Sequence, residues 1–265
     1  MKRISGIALL TALLASPAAA RADVLYGMDN GVLTRIDTDT LTATPIGDTG
    51  IFSVSGLEFG PDGQLYGLAP DTEEFLRIDV QTGAATVIGS TILTVSRGSG
   101  LGWDPVSNEM YSVAKFTAST PDILVTVSLS TGNFTAVGEV DGTGSARIVG
   151  LDFTKNGQLY GIQGIGGDGQ LLEIDKTNGS TAAIGDRSLP GTGSFTIAPS
   201  GIAWTIEAPG YLYSVDLEDG STVNHGLITG FTGGQGNIGA LASIPSPPTA
   251  VLLTTASLIA IRRRR

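Results

Sequence analysis

The chain has 265 residues, 38 of them Gly, with 41% hydrophobic and 15% charged residues, no Cys and a formal net charge of −10. Plentiful apolar residues and few charges exclude a disordered chain, and glycines without a strict three-residue period exclude collagen. With no Cys and a single His, His225, neither a Cys/His zinc site nor a Cys nucleophile can be built, and any Ser-His-Asp arrangement must use His225.

Lys2 and Arg3 precede an apolar run from Ile4 to Ala15, and the small residues Ala18-Ala19-Ala20-Arg21-Ala22 follow. A basic start, a short apolar stretch and an A-x-A site make a secretory signal peptide, residues 1–22. Two A-x-A sites are available, ending at Ala20 and Ala22. Cleavage after Ala22 is preferred, because β sequence begins at once with Val24-Leu25-Tyr26. The alternative, an uncleaved anchor, needs a run nearer ~20 apolar residues.

Residues 23–244 consist of a repeated unit. One copy runs from Gly150-Leu-Asp-Phe through Leu159-Tyr160-Gly and Leu171-Leu-Glu-Ile-Asp175 to Ile184-Gly185. Its neighbour runs from Gly56-Leu-Glu-Phe through Leu65-Tyr66-Gly and Leu76-Arg-Ile-Asp79 to Ile88-Gly89. The aromatic of the second run recurs as Tyr26, Tyr66, Tyr111, Tyr160 and Trp204, with separations of 40, 45, 49 and 44 residues. That period is close to a propeller blade of ~40–45 residues. Each copy holds four short β runs, a to d, bounded by Gly, Asp, Asn and Pro. The first copy lacks run a, and Gly239-Ala-Leu-Ala242 supplies one after the last copy. The pattern predicts an all-β, five-bladed β-propeller of four-stranded blades, closed by a C-terminal strand that completes the first blade. The fallback is a six-bladed ring with one degenerate blade, but no spare segment of blade length remains.

Loop lengths separate two faces. The residue ending run c (Asp37, Asp79, Ser128, Asp175, Asp216) always lies 10 before the Gly ending run d, and run a lies 10 or 11 before the b aromatic. The b–c and d–a connections vary and must share one face. Function tends to sit on variable loops. The longest are Lys115–Asp122 and Gln163–Gly169, flanking d–a loops that carry Arg97 and Arg147. Arg97 and Arg147 are equivalent positions, as are Glu58 and Asp152. These four are expected to ring the mouth of the central channel and bind a polar ligand. The alternative is that they pair with one another, because buried charges need partners.

Other chemistry is thinner. The aromatic of each blade suits inter-blade packing better than a binding ring. The repeated Asp at the c–d turn suits an Asx turn better than a metal site. Gly166-Gly-Asp-Gly169 is one fragment of a calcium repeat, and Asp37-Thr-Asp39 supplies too few oxygens for Ca²⁺. No metal or cofactor is expected. His225 stands where other copies carry Ile46, Ile88, Val137 and Ile184, as an outer-strand substitution. Residues 23–244 hold 8 Lys+Arg against 25 Asp+Glu, a charge of −17. Such a surface repels nucleic acid and anionic membranes, and an acidic polysaccharide would need a cation bridge.

The chain closes with Pro245-Ser246-Pro247-Pro248, the apolar segment 249–261, and Arg262, Arg263, Arg264 and Arg265. Thirteen apolar residues are marginal for a membrane span, and terminal arginines hold a tail on the cytoplasmic side. This layout, residues 245–265, resembles the PEP-CTERM sorting signal of diderm bacteria, with Ser246 where that family usually carries Glu. The resemblance implies transient inner-membrane anchoring, processing by an exosortase-type enzyme near Pro245–Pro247, and delivery to the cell surface or extracellular matrix. The alternative is a plain membrane anchor. The repeats Gly-Leu-x-Phe, Gly-x-Leu-Tyr, Ile-Asp and Thr-Gly resemble secreted bacterial propellers of the NHL and quinoprotein-like superfamilies. That resemblance implies fold, and folds of this kind host many activities. The expected function is an exported binding module with no catalysis evident, its partner an extracellular polysaccharide or another surface protein. The alternatives are a structural role in the envelope or matrix, and a carbohydrate-active hydrolase or lyase using acidic residues such as Glu58 and Asp152. A hydrolase requires a carboxyl pair about 5–9.5 Å apart.

Overall fold

The computed structural model describes residues 22–91, 100–114, 121–140, 147–164, 168–191, 193–232 and 238–245. These form five four-stranded antiparallel sheets arranged as a five-bladed β-propeller, and no helix occurs among them. The second blade takes β4 (Gly56–Phe59), β5 (Leu65–Ala69), β6 (Glu74–Ile78) and β7 (Ala85–Ser90) as its strands a to d. The third has β8 (Leu101–Asp104), β9 (Glu109–Ala114), β10 (Ile123–Val127) and β11 (Phe134–Glu139). The fourth has β12 (Arg147–Phe153), β13 (Leu159–Gly164), β14 (Gly169–Ile174) and β15 (Thr181–Leu189). The fifth has β16 (Thr196–Ile197), β17 (Ala203–Glu207), β18 (Tyr211–Val215) and β19 (Thr222–Leu227).

The first blade closes the ring. Its sequence-local strands are β1 (Val24–Asp29), β2 (Val32–Asp37) and β3 (Thr42–Asp48), and its inner strand is β20 (Ile238–Ser243). Tyr26 faces Ala242 and Gly27 faces Leu241 in the β1–β20 ladder. Further bonds lock this seam. Ile244 N–H donates to the Val24 carbonyl at 3.2 Å, and Ser243 Oγ donates to the Ile197 carbonyl of the fifth blade at 3.2 Å. Asp23 accepts from Ser200 Oγ (2.7 Å) and Trp204 Nε1 (2.9 Å), tying the start of the ring to its last blade. No strand edge is left where the two ends of the chain meet, which removes a template for aggregation.

Inner strands are buried and outer strands are half wet: β4 is buried along its whole length, whereas β7 alternates between exposed and half-buried. The a–b turns share one device. Gly63, Gly157 and Gly201 each donate N–H three residues back and hold φ of +73°, +78° and +89°; Asn108 takes φ +58° in the third blade. Glycine adopts that region without steric penalty. At the c–d turns, Asp79 Oδ1 accepts from Gln81 and Thr82 N–H, and Asp175 Oδ1 from Thr177 N–H. These are Asx turns, as the sequence implies.

The constant spacing of run c to run d follows from a lock between blades. A Cβ on Gly47, Gly89, Gly138 or Gly185 would meet a carbonyl oxygen of the next blade's c–d turn (Thr82, Thr131, Asn178, Asp219) at 1.8–2.0 Å. The last blade meets the first differently: Thr229 N–H donates to the Leu41 carbonyl at 3.0 Å, and the Thr229 carbonyl accepts from Ala43 N–H at 2.7 Å. The d strands of the first four blades thus receive the neighbouring turn at backbone contact, so neither length can change alone. Inter-blade aromatic pairs add to this: Tyr26 with Phe59 at 5.6 Å and Tyr111 with Phe153 at 5.1 Å. His225 lies on β19, exposed, sharing a 2.9 Å hydrogen bond with Ser214 and an edge-on contact with Trp204.

Candidate functional site

Strands a all run the same way, from the variable-loop face to the face of the a–b and c–d turns. At their far ends the five blades frame a cavity of about 1120 Å³. The a–b turns build its wall: Pro61 and Asp62, Pro105, Lys155 and Asn156, and Pro199. Trp103, Phe59, Phe153 and Tyr160 present rings to it, and Ser243, Ile244 and Pro245 complete the circle from the closing strand. A wide, mostly apolar cavity with a few converging polar groups is the usual form of a small-ligand site.

Glu58 and Asp152 also line this cavity and are 7% and 4% exposed. They occupy matching positions in the second and fourth blades, opposite Tyr66 and Tyr160 in their ladders. The matching residue of the third blade is Gly102, opposite Tyr111. With no side chain between them, the two carboxyls hydrogen-bond to each other across the channel. A Cβ on Gly102 would stand 3.0 Å from the Asp152 Cα and 2.9 Å from Leu151 Cδ1.

The rest of the pair's bonding is neutral. Asp152 Oδ2 accepts from Ile197 N–H (2.6 Å) and Thr196 Oγ1 (3.0 Å), and Oδ1 from Phe153 N–H (2.6 Å). Glu58 Oε1 accepts from Phe59 N–H at 2.7 Å. Burial pushes Glu58 well above the usual carboxylate range, and the charge of Asp152 adds to it. Burial also pushes Asp152 up to about 7, against the pull of its backbone and Thr196 donors. Two buried carboxyls in contact cannot both ionise at little cost. Glu58 therefore holds the proton and donates it to Asp152, and the pair carries at most one negative charge at neutral pH, gained as Asp152 ionises.

The four ligand nominees are divided by this geometry. Glu58 and Asp152 come together at the cavity. Arg147 begins β12 and pairs in register with Gly164, at the opposite end of the strand that carries Asp152. Five residues separate them, about 15 Å of strand. Arg97 lies outside the described residues. Of the sorting-motif residues, Pro245 lines the cavity, whereas Ser246, Pro247 and Arg262–Arg265 lie outside the described residues, as does most of the signal-peptide segment. No described helix is long and apolar enough to cross a membrane, and the apolar segment 249–261 lies outside that set.

Trp103 and the a–b prolines are site residues that the repeat pattern did not single out. The available signal was Pro61, Pro105 and Pro199 recurring in the a–b turns of three blades, next to a third-blade Trp where the second and fourth copies carry Phe. Among the described residues, no three His, Cys, Asp or Glu side chains group as a metal site.

No protein-family model matches the chain, and no curated protein matches it. Solved structures do. A chain from the crystal structure of a nidogen/laminin complex is similar at TM-score 0.56 and 14% identity, over 84% of this chain and 98% of that one. A structural-genomics protein of unknown function from Bacteroides thetaiotaomicron VPI-5482 is similar at TM-score 0.52 and 15% identity, over 78% of this chain and 58% of that one. The PQQ-bound aldose sugar dehydrogenase from Streptomyces coelicolor aligns at TM-score 0.48 and 17% identity, over 65% of this chain and 62% of that one. At such identities the likeness to the first two bears on the fold alone and leaves the ligand to be argued from the site itself.

Proposed function

We propose that the chain is an exported binding module without catalysis of its own, which takes its ligand at the a–b mouth of the propeller. The observation that carries this reading is the cavity of about 1120 Å³ whose rim is contributed by all five blades. Such a rim is rigid, because every a–b turn is short and hydrogen-bonded and every blade is locked to the next. The carboxyl pair argues for binding over hydrolysis. Its two groups touch, whereas glycosidase pairs stand about 5–9.5 Å apart to admit substrate or water. Asp152 also has both oxygens committed to protein donors.

In this reading residues 1–22 direct export, and residues 245–265 act as a PEP-CTERM-like sorting signal processed by an exosortase-type enzyme. The module is delivered to the cell surface or matrix of a diderm bacterium, where an extracellular polysaccharide or another surface protein is its partner. Arrays of glycans and peptides probed with the full chain, with and without Ca²⁺, test the binding claim. Saturable capture that is lost in Trp103→Ala supports it. Turnover of a captured glycan, or capture indifferent to Trp103→Ala, overturns it.

A further inference from the structure

We propose that the ligand presents a primary ammonium group on an apolar stem, and that this ammonium docks between Glu58 and Asp152 in place of their shared proton. The inference rests on the reading of the cavity as a binding site and names the chemistry that would fill it.

Charge is the first reason. Once Asp152 ionises the pair holds a net negative charge, and every described donor that reaches it is neutral: the N–H groups of Phe59, Phe153 and Ile197 and the hydroxyl of Thr196. Among the described residues no cation shifts either carboxyl, and the charge that acts on Glu58 is that of Asp152. A buried charge without a counter-ion is costly, and here it sits in the lining of an open cavity. Elsewhere the fold supplies the missing partner. Asp104, equally buried, is matched by Lys176 from the next blade, whose ammonium also lies 5.7 Å from the Phe153 ring centre.

The walls are the second reason. The same cavity is lined by Trp103, Phe153, Pro105 and Ile244, surfaces suited to a hydrocarbon stem. The Trp103 ring adds a face that attracts a cation. Gly102 leaves the space between the two carboxyls free of any side chain of the third blade. The exchange balances: the ammonium enters with its charge, Glu58 gives up its proton to solvent, and two carboxylates then flank one cation. The remaining ionisable residues of the lining are Asp62, Lys155 and Tyr160. Tyr160 stands opposite Asp152 in the β12–β13 ladder, Asp62 and Lys155 are not among the groups that shift either carboxyl, and the matching positions of β8 and β16 are Gly102 and Thr196.

The test is calorimetry of the full chain with n-hexylamine, n-hexanol and hexanoate, in two buffers of different ionisation enthalpy. Hexylamine is expected to bind at one site and to release protons as it binds, one from Glu58 and, below about pH 7, a second from Asp152. Its affinity should rise with pH, more steeply below about pH 7 than above it, as proton linkage requires. Glu58→Gln keeps a donor toward Asp152 and is expected to fold, to lose at least about tenfold in hexylamine affinity and to release one proton fewer on binding than the wild type. Proton release in the wild type needs no variant, so the inference stays testable if the substitution impairs folding. Hexanol binding as tightly as hexylamine, with no proton released, overturns the ammonium while leaving the cavity reading intact. Binding of neither probe also overturns it, and the array result with Trp103→Ala then judges the cavity separately.

Discussion

The two faces of the ring differ in what fixes them. On one, the a–b and c–d turns are short, nearly constant in length and pinned by Gly and Asp. On the other, the b–c and d–a connections vary in length. Phe52, in a d–a connection, is 82% exposed there. Variation in loop length is commonly a guide to function, yet the cavity opens on the constant face. The reason is mechanical. A c–d turn must fit against the backbone of the neighbouring blade, so its length is set by packing, and a short a–b turn holds its Pro and aromatic residues at a defined place on the rim. A ring of rigid turns makes a preorganised wall, which lowers the ordering cost of binding.

Removing what closes the ring should have the largest effect on this contrast. Leu241 is 2% exposed and packs in the core shared by the first and fifth blades. Leu241→Ala is expected to lower stability by about 3 kcal/mol, read from urea denaturation, with both faces losing order together. An unchanged midpoint would mean that β20 does not seal the ring. Next comes the lock between blades. Gly138→Ala forces a Cβ toward the Asn178 carbonyl, whereas Gly63, at φ +73°, has nothing within 4 Å of its added Cβ. The first substitution should destabilise by about 3 kcal/mol as an overpacked contact, and the second by about 1–2 kcal/mol for its left-handed backbone alone. Equal effects would remove the turn lock as the cause of constant spacing.

The carboxyl pair gives a smaller, pH-dependent effect. Glu58 and Asp152 have raised values in the folded protein, so the folded state binds more protons than the unfolded one between the ordinary carboxylate range and about pH 7. Their contribution is full at acid pH and is lost as pH rises through that window. The exposed Asp37, Asp79, Asp175 and Asp219 are held below the usual value by turn hydrogen bonds and act in the opposite sense, at lower pH. Comparing melting temperatures at pH 5.5 and 8 isolates the pair. The wild type should lose more on going to pH 8 than Asp152→Asn does, and parallel curves would show that the two carboxyls do not share a proton.

Much of the fold was legible because a repeat states its own alignment. The Gly-Leu-x-Phe and Leu-Tyr-Gly runs locate inner strands, and the orphan Gly239-Ala-Leu-Ala242 announces closure. Turn chemistry at Asp79 and Asp175 was legible too, since Asx turns are local. The site was less so. Glu58 and Asp152 could be nominated as equivalent residues, but their contact depends on Gly102, a residue conspicuous only by what it lacks. Sequence equivalence placed Arg147 and Asp152 in one blade without showing that a strand's length separates them. Trp103 escaped notice because it replaces a core Phe, and only the curvature of the ring reveals that this core position faces the cavity.

The two faces can be set against each other in one binding comparison. With any array ligand captured by the full chain, Trp103→Ala on the constant face should abolish capture, and Phe52→Ala on the variable face should leave it unchanged. Capture that survives Trp103→Ala but fails in Phe52→Ala would move the binding surface to the other side of the ring and contradict the account.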